Sequence, residues 1–294
     1  MNSQAVGTCV IGRCNQSAPA PVAVGGLGGS GTRLIARLMM DIGYFMGGDL
    51  NESLDNLWFT LLFKRPKIFT VPDDEFTKLV RIFRERMTGK KTIDPSSAEI
   101  IESLALEDRL PEFPLQWAQN RATSLVNGIG ADAGQNWGWK EPNTHFFIAR
   151  LRRILPGLKY IHVMRNGLDM AHSKNQNQLR LWGPVLMGQD VEITPGSSLK
   201  FWRLVNERAL AVGNDMGGDF LLIKYERFCA EPIYELHRLL EFLGDSVPPG
   251  DYSRLLDRVA PPLSINRFKS HKMDLFDSSD VAFVAALGYD VEPN

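Results

Sequence analysis

Residues 25–33 read GGLGGSGTR, with Gly25 at the start and Arg33 at the end. An apolar run, 22–24, precedes them, and a segment with apolar residues at 34, 35, 38, 39 and 42 follows. That order is strand, glycine-rich turn, helix. Such a turn aims backbone N–H groups and a helix N-terminus at an anion, commonly a phosphate. The stretch predicts a phosphate-ester site, set against the plainer alternative of a glycine-rich turn that holds no ligand.

Three anion-binding patterns compete for the loop. Gly26, Gly28 and Gly31 fit the dinucleotide fingerprint G-x-G-x-x-G, with Asp49 near the expected acidic position. That reading makes the chain a dinucleotide-dependent oxidoreductase. The nucleotide-triphosphatase loop fails, because Thr32 stands where its lysine is needed and Arg33 where its magnesium-binding hydroxyl is needed. The third pattern is a phosphosulfate-binding loop with a small-Gly-Thr core, here Ser30, Gly31 and Thr32.

A second stretch bears on the choice. Residues 159–173 read KYIHVMRNGLDMAHS. Residues 160–164 predict a buried strand and 167–178 a helix. Arg165 then stands at the C-terminal end of a strand, where open α/β sheets place ligands. Ser173 falls eight residues on, about two turns into the predicted helix. Arginine's planar fork suits a phosphate, and the two side chains can converge on one. In the competing reading Arg165 pairs with Asp169 and Ser173 is a surface hydroxyl.

Together the two motifs resemble the sulfotransferase superfamily, whose donor is 3′-phosphoadenosine 5′-phosphosulfate (PAPS) and whose product is adenosine 3′,5′-bisphosphate. The resemblance implies that Gly28, Gly29, Ser30, Gly31, Thr32 and Arg33 cradle the 5′-phosphosulfate. It implies that Arg165 and Ser173 grip the 3′-phosphate. Residues 220–229, FLLIKYERFC, resemble the family's strand-Tyr-Glu segment, which places Tyr225 near the adenine. Residues 266–269, NRFK, resemble a basic loop over the 3′-phosphate and nominate Arg267 and Lys269. The implied fold is a P-loop-like three-layer α/β sandwich, a central parallel sheet flanked by helices. The resemblance runs from residue 22 to the C-terminus.

The first loop departs from many relatives at Gly29, where they carry a lysine or arginine, and at Arg33, where many carry threonine. Arg33 and Lys140, in WGWKEP, are the candidate cations for the sulfuryl group. Sulfuryl transfer resembles phosphoryl transfer and needs an anion cradle, a cation and a base for the acceptor proton. Glu52 stands 20 residues after Thr32, where some protein- and glycan-modifying relatives carry a glutamate, and is the candidate base. Asp49, Asp55, Glu141 and His145 are its rivals. No metal is called for. The acceptor stays open among small-molecule, carbohydrate and peptide hydroxyls or amines. Phe45, Trp58, Phe59 and Phe63 either line an apolar acceptor pocket or belong to the core. A non-catalytic nucleotide-binding relative of the same fold is a further alternative.

The remaining features set bounds. The chain has 294 residues and a net charge of −1, which gives no global field toward nucleic acid or membrane. Its 44% hydrophobic and 23% charged content is that of a globular protein large enough for one full core. No transmembrane run and no signal peptide are evident, which predicts a cytoplasmic protein. Cys9, Cys14 and Cys229 have neither disulfide nor zinc spacing. His162 falls inside a strand and reads as a satisfied core histidine. Residues 1–21 are expected to be a mobile leader. Residues 22–294 form one domain with a helical insert at about 50–130, and 179–196 reads as a loop beside the acceptor.

Overall fold

The computed structural model of the protein describes residues 19–90, 92–107, 113–188, 191–245 and 251–293. The predicted leader falls, for residues 1–18, outside the described residues, as do Cys9 and Cys14. Four strands form one parallel sheet: β1 (Val22–Gly26), β2 (Gly138–Lys140), β3 (Lys159–Met164) and β4 (Phe220–Lys224), in the order β2-β1-β3-β4. Val24 pairs with Lys140 and Ile161, and Met164 with Lys224. The register brings all four C-terminal ends to one edge. The chain leaves the central strand β1 and returns on either side of it, so the switch point of the sheet lies directly after Gly26.

Strand alternation builds two cores. Val22, Val24, Ile161, Val163, Leu221 and Ile223 face one layer, with α1 (Thr32–Asp41) packed there. Ala23, Tyr160, Met164 and the partly buried Leu222 face the other, where most remaining helices lie. A sheet buried on both faces is the three-layer sandwich expected of an alternating βα sequence.

The helical insert is made by α2 (Leu57–Phe63), α3 (Asp73–Met87), α4 (Pro95–Ala105) and α5 (Leu115–Asn127). Every residue of α2 is buried, as a helix apolar on all sides must be. Asn56 caps it by accepting from the Phe59 N–H (2.9 Å). The Asn56 N–H also bonds the Lys140 carbonyl at 2.7 Å, which fixes the insert to the C-terminal edge of β2. The buried Arg86 guanidinium donates to the carbonyls of Val126 and Gly128 and ties α3 to α5.

The second half continues with α6 (Ile148–Ile154), α7 (Gly167–Ala171), α8 (Asn177–Met187) and α9 (Pro195–Met216), then α10 (Tyr225–Ala230), α11 (Pro232–Leu243), α12 (Tyr252–Leu256) and α13 (Ser278–Ala286). Three expectations change here. The helix predicted over 167–178 stops at Ala171, because the Gln176 side chain folds back and donates to the carbonyls of Met170 (3.0 Å) and Ser173 (2.9 Å). Ser173 therefore sits in the turn between α7 and α8 rather than two turns into a helix. The predicted loop at 179–196 begins as helix, since buried Leu179 and Trp182 hold α8 together through Pro184. The sequence pattern predicts a helix over 143–155 directly after β2, but the chain opens there as a tight 3₁₀ turn, Pro142–Phe146, before α6.

Candidate active site

At the C-terminal edge of β1 the backbone takes conformations that require glycine. Gly26 has φ +148, and a Cβ there would lie 2.3 Å from the Val163 carbonyl oxygen. Gly31 has φ +103, and a Cβ would lie 2.1 Å from the Tyr225 ring. The chain can pass only as bare backbone. Helix α1 starts at Thr32 with no side-chain cap. The Leu34 N–H bonds the Gly31 carbonyl at 3.0 Å, whereas the backbone of Thr32 and Arg33 borders a cavity of about 680 Å³ with no intrahelical acceptor for its N–H groups. Ser30 is 1% exposed and does not line the cavity, and among the described residues its Oγ, which lies beside Gly26, has no hydrogen-bond partner. Free helix N–H groups at a cavity wall are the start of an anion cradle.

The sequence candidates distribute unevenly around this cavity. Gly28, Gly29, Gly31, Thr32, Arg33 and Glu52 line it. So do Lys140, Arg165 and Tyr225. Arg165 is held by Trp202, whose indole N–H donates to its carbonyl at 3.0 Å, and its Nη2 donates to Ser264 Oγ at 2.8 Å. Its Nε lies 3.7 Å from Glu226 and makes no hydrogen bond. The Arg165–Asp169 pairing does not occur: Asp169 instead accepts the backbone N–H groups of Asn266 (2.8 Å) and Phe268 (3.1 Å). Arg267 donates to the carbonyls of Ser264 and His172 at 3.3 Å. Burial and the nearby Arg165 charge push its guanidinium below the usual value. Two crowded guanidiniums fit an anion with more than one charge. Ser30, Ser173, Arg267 and Lys269 do not line the cavity. Ser173 Oγ accepts the Asn175 N–H at 3.2 Å, and Lys269 pairs with Asp290 at 2.6 Å.

At the opposite end, Lys140 is 3% exposed. Its Nζ donates to the Ser53 carbonyl at 3.1 Å and forms an ion pair with Asp55. Asn51 steadies the other Asp55 oxygen at 3.0 Å. Glu52 stands exposed on the rim with no hydrogen bond or ion pair. The rival bases Glu141 and His145 do not line the cavity. Glu141 accepts the N–H and side-chain amide of Asn143 (2.7 and 2.8 Å), and burial raises its pKa. His145 is buried against Gln178 (3.4 Å), and burial lowers it to about 3. His162 bonds Tyr160 (2.9 Å) and Asn206 (2.8 Å) and is lowered by burial to about 4.

Two alternatives lose their footing. Asp49, the acidic residue of the dinucleotide reading, is paired with Arg121 at 2.6 Å and does not line the cavity. Trp58, Phe59 and Phe63 are fully buried in the core, Phe59 stacking on Trp139 at 5.6 Å, and Phe45 packs against the same cluster. The aromatic acceptor wall is therefore core. Among the described residues no group of three or more His, Cys, Asp or Glu could hold a metal. No described helix is long and apolar enough to cross a membrane. Cys229 is a free thiol.

Sequence reasoning missed Arg37, Arg258, Asn175 and Pro262, which also line the cavity. Arg37 carried a local signal, one turn after Arg33 on the same helix face. The other three arrive from segments far along the chain and carried none.

The sequence model of the Sulfotransferase family matches residues 21–249. Among solved structures, the chain is similar to the sulfotransferase domain of the Synechococcus PCC 7002 olefin synthase, at 15% identity, 96% of this chain, 99% of that one and TM-score 0.48. It is also similar to a sulfotransferase from Alicyclobacillus acidocaldarius, at 17% identity, 94% and 98% coverage and TM-score 0.48. None of the curated proteins compared matches it significantly.

Proposed function

The chain belongs to the sulfotransferase family, and from that premise we propose that it transfers a sulfuryl group from PAPS to a hydroxyl or amine of a polar acceptor. One observation carries the reading. The uncapped N-terminus of α1, Arg33, Arg165 and Lys140 all line a single cavity at the switch point of the sheet.

The donor supplies the activated sulfuryl group. Backbone N–H groups of the loop and of Thr32 would hold its 5′-phosphosulfate. Arg165, with Arg267 beside it, would hold the 3′-phosphate, and the Tyr225 ring would border the base. Lys140 and Arg33 would meet the charge that develops as the sulfur–bridging oxygen bond breaks. Glu52 is the base of choice. Its carboxylate is free of partners among the described residues, whereas Asp55 is engaged by Lys140. Glu52 would take the acceptor proton as the acceptor oxygen bonds to sulfur, and the bisphosphate would leave.

The acceptor end favours a polar substrate. Glu52, Ser53, Asp55, Lys140 and Asn175 line the cavity, and Leu34, Pro142 and Pro262 are its few apolar side chains. A sugar-like, polyhydroxylated compound can hydrogen-bond such a wall, while a flat hydrocarbon finds no surface to cover.

Calorimetric titration with adenosine 3′,5′-bisphosphate, ADP and NADP, followed by donor turnover with polyhydroxylated and phenolic acceptors, tests the reading. Tight binding of the bisphosphate over ADP is expected, with turnover on the hydrophilic acceptors. Equal affinity for ADP and the bisphosphate refutes the donor assignment. Donor binding without turnover on any acceptor favours a non-catalytic nucleotide-binding relative.

A further inference from the structure

Residues 255–268 cross the donor end of the cavity. The crossing is pinned at both ends by side chains that are 0% exposed, Leu255 in one core and Phe268 in the other. Between them, Arg258 and Pro262 line the cavity. The Ala260 carbonyl accepts from the Tyr225 hydroxyl at 3.3 Å, and Ser264 Oγ accepts from Arg165 at 2.8 Å. The segment thus touches two of the residues assigned to the donor. It also lies beyond residues 21–249, the part that matches the family.

Near its far end the backbone turns left-handed at Asn266, φ +63, a conformation that asparagine tolerates better than other non-glycine residues. What holds it is Asp169 on α7. The carboxylate is 1% exposed and forms no ion pair among the described residues. Each of its oxygens accepts one backbone N–H of the segment, Oδ2 from Asn266 at 2.8 Å and Oδ1 from Phe268 at 3.1 Å. A buried carboxylate without those donors would be strongly disfavoured, so closing of the segment and burial of the charge support each other.

We propose that Asp169 is a positioning residue that latches residues 258–268 across the cavity and so sets Ser264 and Arg267 around Arg165. The proposal rests on the donor reading above. It accounts for an aspartate four residues after Arg165: α7 begins at the end of β3, and its first turn faces the returning segment. Arg165 meets the anion directly; Asp169 acts on it only through the segment it fixes.

The test uses the full chain. Adenosine 3′,5′-bisphosphate and adenosine 5′-phosphate are titrated calorimetrically into wild type, Asp169→Asn and Ser264→Ala, and amide exchange is followed over residues 258–268. The asparagine keeps the volume but turns an N–H₂ toward one of the two backbone donors. The preference for the bisphosphate over the monophosphate should fall about tenfold in Asp169→Asn, as for loss of a charge-assisted hydrogen bond, with faster exchange across the segment. Ser264→Ala should lower the preference about threefold. A role in general stability alone would lower the melting temperature of Asp169→Asn and leave the preference intact. An unchanged preference in both variants, or fast exchange at Asn266 and Phe268 in wild type, overturns the latch. If Asp169→Asn does not fold, Ser264→Ala and the wild-type exchange decide. A wild-type protein that binds both nucleotides equally refutes the donor reading instead, and the exchange measurement still tests the latch.

Discussion

Replacing Gly31 by alanine separates two costs that the loop geometry keeps distinct. At φ +103 an L-residue is strained by roughly 1–2 kcal/mol. The new methyl group would also lie 2.1 Å from the Tyr225 ring. Relief requires the ring to move, and overpacking of this kind costs about 1–3 kcal/mol. The sum is roughly 2–5 kcal/mol. Gly29 is the internal control, because its φ is +92 but the nearest atom to an added Cβ is the flexible Met170 Cε at 3.7 Å, an ordinary contact. Gly29→Ala should therefore lose only the backbone part. Urea unfolding of both variants measures the difference. A Tyr225→Ala background should remove the clash from Gly31→Ala and leave Gly29→Ala unaffected, with a coupling of about 1–3 kcal/mol in the double-mutant cycle. Equal destabilisation of the two alanine variants, or zero coupling between positions 31 and 225, refutes the reasoning.

Arg165→Ala should weaken bisphosphate binding by roughly 1.5–3 kcal/mol, measured by calorimetry, and should scarcely alter adenosine 5′-phosphate binding. Lys140→Met, which keeps the stem in its buried slot, should lower donor turnover by about 100-fold while the donor Kd changes far less. Glu52→Gln should lower kcat and spare donor affinity, and wild-type kcat in that variant removes Glu52 as the base. His145 and His162 are buried neutral, with pKa values lowered to about 3 and about 4, so their contribution to stability is complete above pH 6.5 and is lost as pH falls below it. Glu141, raised by burial, works in the opposite sense in the acid range. The two histidines outweigh it increasingly as pH falls, and urea-derived stability should drop by about 1 kcal/mol per pH unit on average between pH 6.5 and 5. A flat profile there contradicts the neutral assignment.

The strand–loop–helix unit was legible because its signals are local. Glycines mark backbone that must run left-handed or pass close to other chain, and the apolar positions of α1 repeat at helical spacing. Arg165 was legible for the same reason, as a charge at the end of an apolar strand. Ser173 was misplaced because helix propensity across 167–178 says nothing of Gln176 folding back on the carbonyls of Met170 and Ser173. The aromatic residues of α2 looked equally suited to a pocket wall and a core, since periodicity gives a face but not what the face meets. Packing decided it: the helix is buried on every side.

Lys140 shows where such reading ends. Its place at the end of β2 follows from the apolar pattern around it, but its partner Asp55 lies 85 residues earlier in the chain. That pairing bears on the chemistry. Lys140 is 3% exposed, and Asp55 and the Ser53 carbonyl supply its counter-charge and acceptor at the edge of the cavity. Asp55 is then committed to the cation, and a free carboxylate must come from elsewhere to receive a proton. Glu52, three residues away on the same turn, is exposed and unpaired. The two acids thus divide along their surroundings, one fixing a cation and the other free to serve as the base in the proposed reaction, a division that two neighbouring carboxylates in a sequence cannot announce.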